Sequence, residues 1–128
     1  MVKKGKFTIL GNKEYRIGKE GEDWVNLVSK DGEDAMNGFQ PHPLDSTVLI
    51  KKVLKSELNL NYQINTYAIY KGHRLEIGSE KEDKILVGTG DSRLADELKL
   101  DRTDKYFYEK WIDKSEVQLV EEKKPISI

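Results

Sequence analysis

Two histidines, a few tight groups of carboxylates and one glycine-rich stretch are the residues whose types could do chemistry. His42 and His73 are the only histidines in the chain. They fall in separate loops with no second His nearby, so neither a two-His metal site nor a Ser/His/Asp arrangement can be assembled around them. "EGEDW" (Glu20 to Trp24) and "EKED" (Glu80 to Asp83) bring acids close together. Paired acids catalyse when a cleft drives their pKa values apart, whereas acids in charged turns are ordinarily solvated. "GTGDS", Gly88 to Ser92, lacks the lysine of a phosphate-binding loop and the third glycine of a dinucleotide fingerprint, so it reads as a tight turn. Cysteine is absent, which removes disulfides, thiolate metal sites and a cysteine nucleophile. The expectation is a protein without catalytic activity, metal or cofactor.

The scaffold that carries these residues is 128 residues long, enough for one ordinary domain or two small ones. Charged residues make up 35% of it, yet the formal net charge is -1, a balance that disfavours a general nucleic-acid or membrane binder. No apolar run approaches the length of a membrane span, and "MVKKGKFTIL" has no signal-peptide core. A cytoplasmic protein is expected.

Sliding the chain against itself shows a repeat. "KVLKSELNL" (Lys52 to Leu60) returns 59 positions later as "WIDKSEVQL" (Trp111 to Leu119). At an offset of 60, eight of the 29 positions from Phe7 onward are identical, among them Ile17 with Ile77, Gly18 with Gly78, Asp31 with Asp91 and Ala35 with Ala95. Apolar positions agree as well: Tyr15 meets Leu75 and Val25 meets Ile85, and, after the second copy drops one residue and the offset becomes 59, Val53 meets Ile112. Such self-similarity points to a tandem duplication.

Each copy reads as a hairpin, "FTIL"/"YRIG" or "YAIY"/"LEIG", then a third strand, "WVNLVS" or "KILVGT". A divergent stretch follows, helical after an Asp91 N-cap in the second copy and loop-like around Gly38 and Pro41 to Pro43 in the first. A last strand bent by a bulge, beginning at Thr47 or Tyr106, closes the unit. A helix from Ser46 to Leu60 is the rival reading of that last element, disfavoured by the Tyr and Trp of the second copy. The expected fold is mainly β, a tandem duplication of a small SH3-like barrel with a short helical turn. The expected layout is 1–58 for the first repeat, 59–66 for a linking strand and 67–128 for the second repeat with its tail. Positions alike in both copies then serve the shared fold, and positions that differ are free to form a site. Gly18 and Gly78 are read as needing unusual backbone angles, and the repeated "KSE" as a turn fixed by its Ser and Glu, the hydroxyl bonding nearby backbone.

Acidic residues gather where the copies diverge. Asp91, Asp96, Glu97, Asp101 and Asp104 come just before Tyr106, Tyr108 and Trp111. Carboxylates beside exposed aromatics suit a basic protein partner, the charges steering encounter and the rings anchoring it. These eight residues are the candidate partner-binding set; Trp24 and the loop from Gly38 to Pro43 are the first-copy counterparts.

Tyr67 to Gly78, with its "YAIYKG" start and "IG" end, and the closing "YEKWIDKSEVQLVEEKKPI" resemble small immunity proteins of bacterial polymorphic-toxin systems, particularly Gram-positive ones. The resemblance implies a cytoplasmic protein that binds and occludes the toxin domain of a secreted effector, commonly a basic nuclease, without a cofactor. No individual family residue transfers, because such interfaces vary with the toxin. The alternative is a tandem SH3- or Tudor-like adaptor, or a phage or mobile-element structural protein. A peptide-binding adaptor predicts a groove lined by Tyr67, Tyr70, Tyr106 and Tyr108. An RNA-binding one predicts a basic patch from "KKGK" and "IKKVLK".

Overall fold

Alternation of apolar and polar residues dictates strands through most of the chain, and the computed structural model, which describes residues 2–128, is accordingly mainly β and antiparallel. Among the described residues eleven strands make up 61% of the chain, leaving helices a minor part. The chain divides into two compact units, residues 4–64 with 123–128, and residues 65–122 with Val2 and Lys3.

The first unit opens with β1 (Gly5–Leu10) and β2 (Lys13–Glu20), joined at Gly11 and Asn12. Both joining residues take positive φ, 60° and 65°, the two-residue turn whose twist matches a hairpin. Then come β3 (Trp24–Ser29), a 3-10 turn (Gly32–Asn37), β4 (Gln40–His42), β5 (Asp45–Leu54) and a second 3-10 turn (Lys55–Glu57). The chain continues into β6 (Asn61–Tyr70), whose first residues, Asn61 to Ile64, pair with β1. The strand order is β4-β5-β3-β2-β1-β6. Tyr15, Ile17, Val25, Leu27, Phe39, Leu49, Val53 and Leu58 form the main core, and Phe7, Tyr62 and Ile64 a smaller cluster.

In the second unit the end of β6 pairs with β7 (His73–Lys81), through a turn at Lys71 and Gly72 that again has positive φ at both residues. β8 (Lys84–Thr89), α1 (Ser92–Glu97), β9 (Asp101–Asp104), β10 (Phe107–Asp113) and a 3-10 turn (Lys114–Glu116) follow. The order is β6-β7-β8-β10-β9, and β11 (Val117–Pro125) pairs with β6. Pro125 stands at the last position of β11, where its missing N–H breaks no ladder. The core of this unit is Ala68, Tyr70, Leu75, Ile77, Ile85, Val87, Ala95, Leu98, Leu100 and Ile112.

Residues 46–54 are strand, as expected over the rival helix. Other expectations are corrected. The first-copy stretch after Asp31 is a 3-10 turn, not a loop: the Asp31 carboxylate accepts the Glu33 N–H at 2.9 Å, and Gly38 closes the turn at φ 87°. Gly18 and Gly78 do not have positive φ. What they supply is room at a register shift, since a Cβ would stand 2.9 Å from Val28 Cγ2 at Gly18 and 2.9 Å from Glu109 Oε2 at Gly78. In "KSE" it is the glutamate of the expected Ser/Glu pair that closes the turn: Glu57 accepts the Leu54 N–H at 3.0 Å, and Glu116 accepts that of Asp113 at 3.4 Å. The backbone then ties each turn to the β2–β3 or β7–β8 loop, Lys55 N–H to Asp23 C=O and Lys114 N–H to Asp83 C=O. Finally, Ala35 and Ala95 are not equivalent. The bonds Phe39 N–H to Asp34 C=O and Leu100 N–H to Ala95 C=O close matching turns, which places Ala95 opposite Asp34 and leaves Ala35 exposed.

Candidate functional site

The candidate residues from Asp91 to Tyr108 lie on α1 and the β9–β10 hairpin. Asp91 is the N-cap of α1, accepting the N–H groups of Arg93 and Leu94 at 2.9 and 3.2 Å, so its carboxylate is committed to the helix. Asp96 is exposed and shares a surface cleft with Arg93, Leu100, Arg102 and Tyr108. Glu97 lies 3.9 Å from His73 Nε2. Asp101 begins β9, and Asp104 ends it, accepting the Lys105 N–H at 2.7 Å. All four residues of β9 are exposed.

Tyr106 stands at the tip of the hairpin, 75% exposed, with Lys105 Nζ 5.4 Å from its ring centroid. Tyr108 is half-buried against the core. Trp111 belongs elsewhere: it opposes Leu86, toward the β7–β8 turn, five residues along β10 from Tyr106. At about 3.3 Å per residue that is some 16 Å. Seven of the eight candidates therefore lie on α1 or the β9–β10 hairpin, and Trp111 lies further along β10.

The charge of this region is also more even than its acids alone suggest. Arg93, Lys99, Arg102 and Lys105 interleave with the five carboxylates. Arg102 is turned onto the backbone of the hairpin tip, donating to Asp104 C=O at 3.3 Å and Lys105 C=O at 3.1 Å.

The groove expected of a peptide-binding adaptor does not form from those four tyrosines, because Tyr70 is 5% exposed and the Arg74 guanidinium covers Tyr67 at 3.8 Å from its centroid. The two histidines sit at strand ends, not in loops. His42 Nδ1 accepts the Leu44 N–H at 3.0 Å, and His73 opens β7. Gly88 of "GTGDS" lies inside β8, where a Cβ would press on the Phe107 ring at 2.6 Å.

One polar cluster escaped sequence reasoning. Asp34 is fully buried in the first unit and accepts four hydrogen bonds: from Lys13 Nζ at 2.8 Å, Tyr15 OH at 2.7 Å, Ser29 Oγ at 2.5 Å and Asn37 Nδ2 at 3.0 Å. Burial alone would raise this carboxyl, yet the four donors together hold it well below the usual carboxylate range. The same contacts push the Lys13 ammonium up, through its bonds to Asp34 and Asp31. Burial, then the bond to Asp34, raises the Tyr15 phenol. Beside the cluster, Leu10, Gly11, Lys13, Tyr15, Asn37, Phe39 and Lys51 line a cleft of about 270 Å³. Sequence alignment of the copies set Asp34 against Leu94, which hid the signal. Set against Ala95, a buried carboxylate facing an alanine would have marked the cluster as something the shared fold does not require.

Among the described residues no group of three or more His, Asp or Glu is placed to hold a metal, and no helix is long and apolar enough to cross a membrane. No curated protein and no solved structure matches the chain. Residues 2–128 match one family model in a single span, and the chain belongs to that family, described as Uncharacterised conserved protein UCP033725.

Proposed function

We propose that the protein is a non-catalytic binding module, built by tandem duplication of a small SH3-like unit, which acts as an immunity protein by occluding a cognate basic, nuclease-like toxin domain in the cytoplasm. Tyr106 is the observation that carries this reading. A large ring 75% exposed at a hairpin tip buries almost nothing within its own unit, so it adds little to the fold and is free to anchor a partner. Exposed carboxylates at Asp96 and Glu97 on α1 and at Asp101 and Asp104 on β9 favour a basic surface opposite. Because four cations interleave with them, occlusion is steric first, and the charges act on the rate of encounter more than on imitation of phosphate.

The duplication is supported by the recurring succession of three strands, a capped turn, a short strand, a long strand and a "KSE" turn in both units. The experiment is co-expression with the product of the neighbouring gene, followed by affinity capture and an activity assay. A one-to-one complex that abolishes the partner's toxicity is expected. Reversing charge at Asp96, Glu97 and Asp101 together should slow association roughly tenfold at low salt and much less at high salt. Recovery of RNA alone, or of no partner that the protein inhibits, would sink the reading.

A further inference from the structure

Trp24 shows what an indole on the solvent side of this sheet takes up. Its ring lies under Lys52 Nζ, 4.5 Å from the centroid, a diagonal pairing across β3 and β5. Gly21 leaves room for the ring, since a Cβ there would stand 2.1 Å from Trp24 Nε1. In the second unit the partners have exchanged strands: Lys84 occupies the place of Trp24, Trp111 that of Lys52, and Lys81 that of Gly21. One further difference decides where the ammonium goes. Lys84 opposes Asp113, whereas Trp24 opposes Leu54. The Asp113 carboxylate takes the Lys84 ammonium in an ion pair. Trp111 is left 45% exposed, and no cation or ring stands over it among the described residues.

Around this bare indole, Lys81, Glu82, Asp83 and Lys84 line a cleft of about 410 Å³. Glu82 and Asp83 are exposed, and Asp113 and Glu116 both act on the Lys84 ammonium, so carboxylates outnumber ammoniums here. Lys110, next to Trp111 in sequence, alternates to the opposite face of β10, and Lys114 is held 2.7 Å from Glu80. An indole face with excess negative charge at its rim attracts a cation.

We propose that the Trp111 cleft receives a lysine or arginine side chain of the protein partner, in the place that Lys52 fills for Trp24 in the first unit. Asp113 keeps the cleft open by diverting Lys84. The partner's identity rests on the binding reading above; the affinity of the cleft for a cationic side chain does not.

The test is a titration of the full chain with Nα-acetyl-lysine methylamide, followed by NMR of the two indole N–H groups, with the uncharged norleucine analogue as control. A saturable shift of Trp111, a midpoint at least tenfold lower than for norleucine, and a still Trp24 are expected. Asp113→Leu, which restores the first unit's residue, should let Lys84 swing onto the ring and weaken the response at least fivefold. Asp113→Asn, the milder change, should weaken it in the same direction. Equal response to both compounds, no saturable shift, or an unchanged response in both Asp113 variants would overturn the proposal. If the lysine compound binds but no protein partner exists, the cleft stands and the binding-module reading falls.

Discussion

Asp34 concentrates the electrostatics of the first unit in one residue. Removing it strands the Tyr15 hydroxyl and the Ser29 and Asn37 donors, and breaking a buried charged network costs about 3 kcal/mol. Asp34→Ala should therefore lower the urea midpoint sharply, and Tyr15→Phe added to it should cost less than the sum, because the phenol is then no longer stranded. A coupling of about 1 kcal/mol or more is expected from the double-mutant cycle. The sign with pH follows from the direction of the shift. A carboxyl depressed on folding stabilises the protein above its unfolded value, near 4, and the gain is lost as pH falls through the folded value. Glu20, Asp31, Asp45 and Glu80 are depressed too, by partners led by Lys6, Lys13, Thr47 and Lys114. Urea midpoints should thus drop from about pH 5 downward, less steeply in Asp34→Asn. Tyr62 works at the other end: burial and its bond to Glu14 raise the phenol to about 12, so stability falls between about pH 10 and 12. Ultraviolet titration at alkaline pH checks this. None of the Asp34 partners was legible beforehand, since Lys13, Tyr15, Ser29 and Asn37 are scattered in sequence and only β2, β3 and the 3-10 turn bring them together.

At the scale of elements, long alternating strands and both hairpin turns were readable because side-chain period and turn chemistry are local. β4 and β9 were not, at three and four residues, because a strand that short has no period to read and exists only through its pairing with β5 or β10. The exchanged Trp–Lys pair makes a prediction at this scale. Gly21→Lys alone should displace the Trp24 ring from Lys52 and cost about 1 kcal/mol, the worth of an exposed cation–π contact with some packing. Trp24→Lys added to Gly21→Lys gives the second unit's combination, in which Lys81 precedes Lys84, and should cost no more than Trp24→Lys alone. Urea unfolding of the three variants decides it.

For the whole molecule, strand content and antiparallel pairing were legible and the allocation of the ends was not. The sequence layout assigned everything from residue 67 to the second repeat, while residues 123–128 belong to the first unit, where Ile126 N–H donates to Asn61 C=O at 3.0 Å and Ile128 packs on the core. Local pattern cannot reveal such a return, because it depends on where β11 leads after pairing with β6. A chain ending at Glu122 should unfold at lower urea than the full chain, with Trp24 fluorescence reporting the loss. At this scale the central claim is that the β9–β10 tip holds a basic protein. Calorimetry of the full chain against the product of the neighbouring gene tests it most directly. A one-to-one complex in the nanomolar range, weakened at least tenfold by Tyr106→Ser, is the predicted result. Absence of binding, or tight binding indifferent to Tyr106→Ser and to the charge reversals, would contradict it.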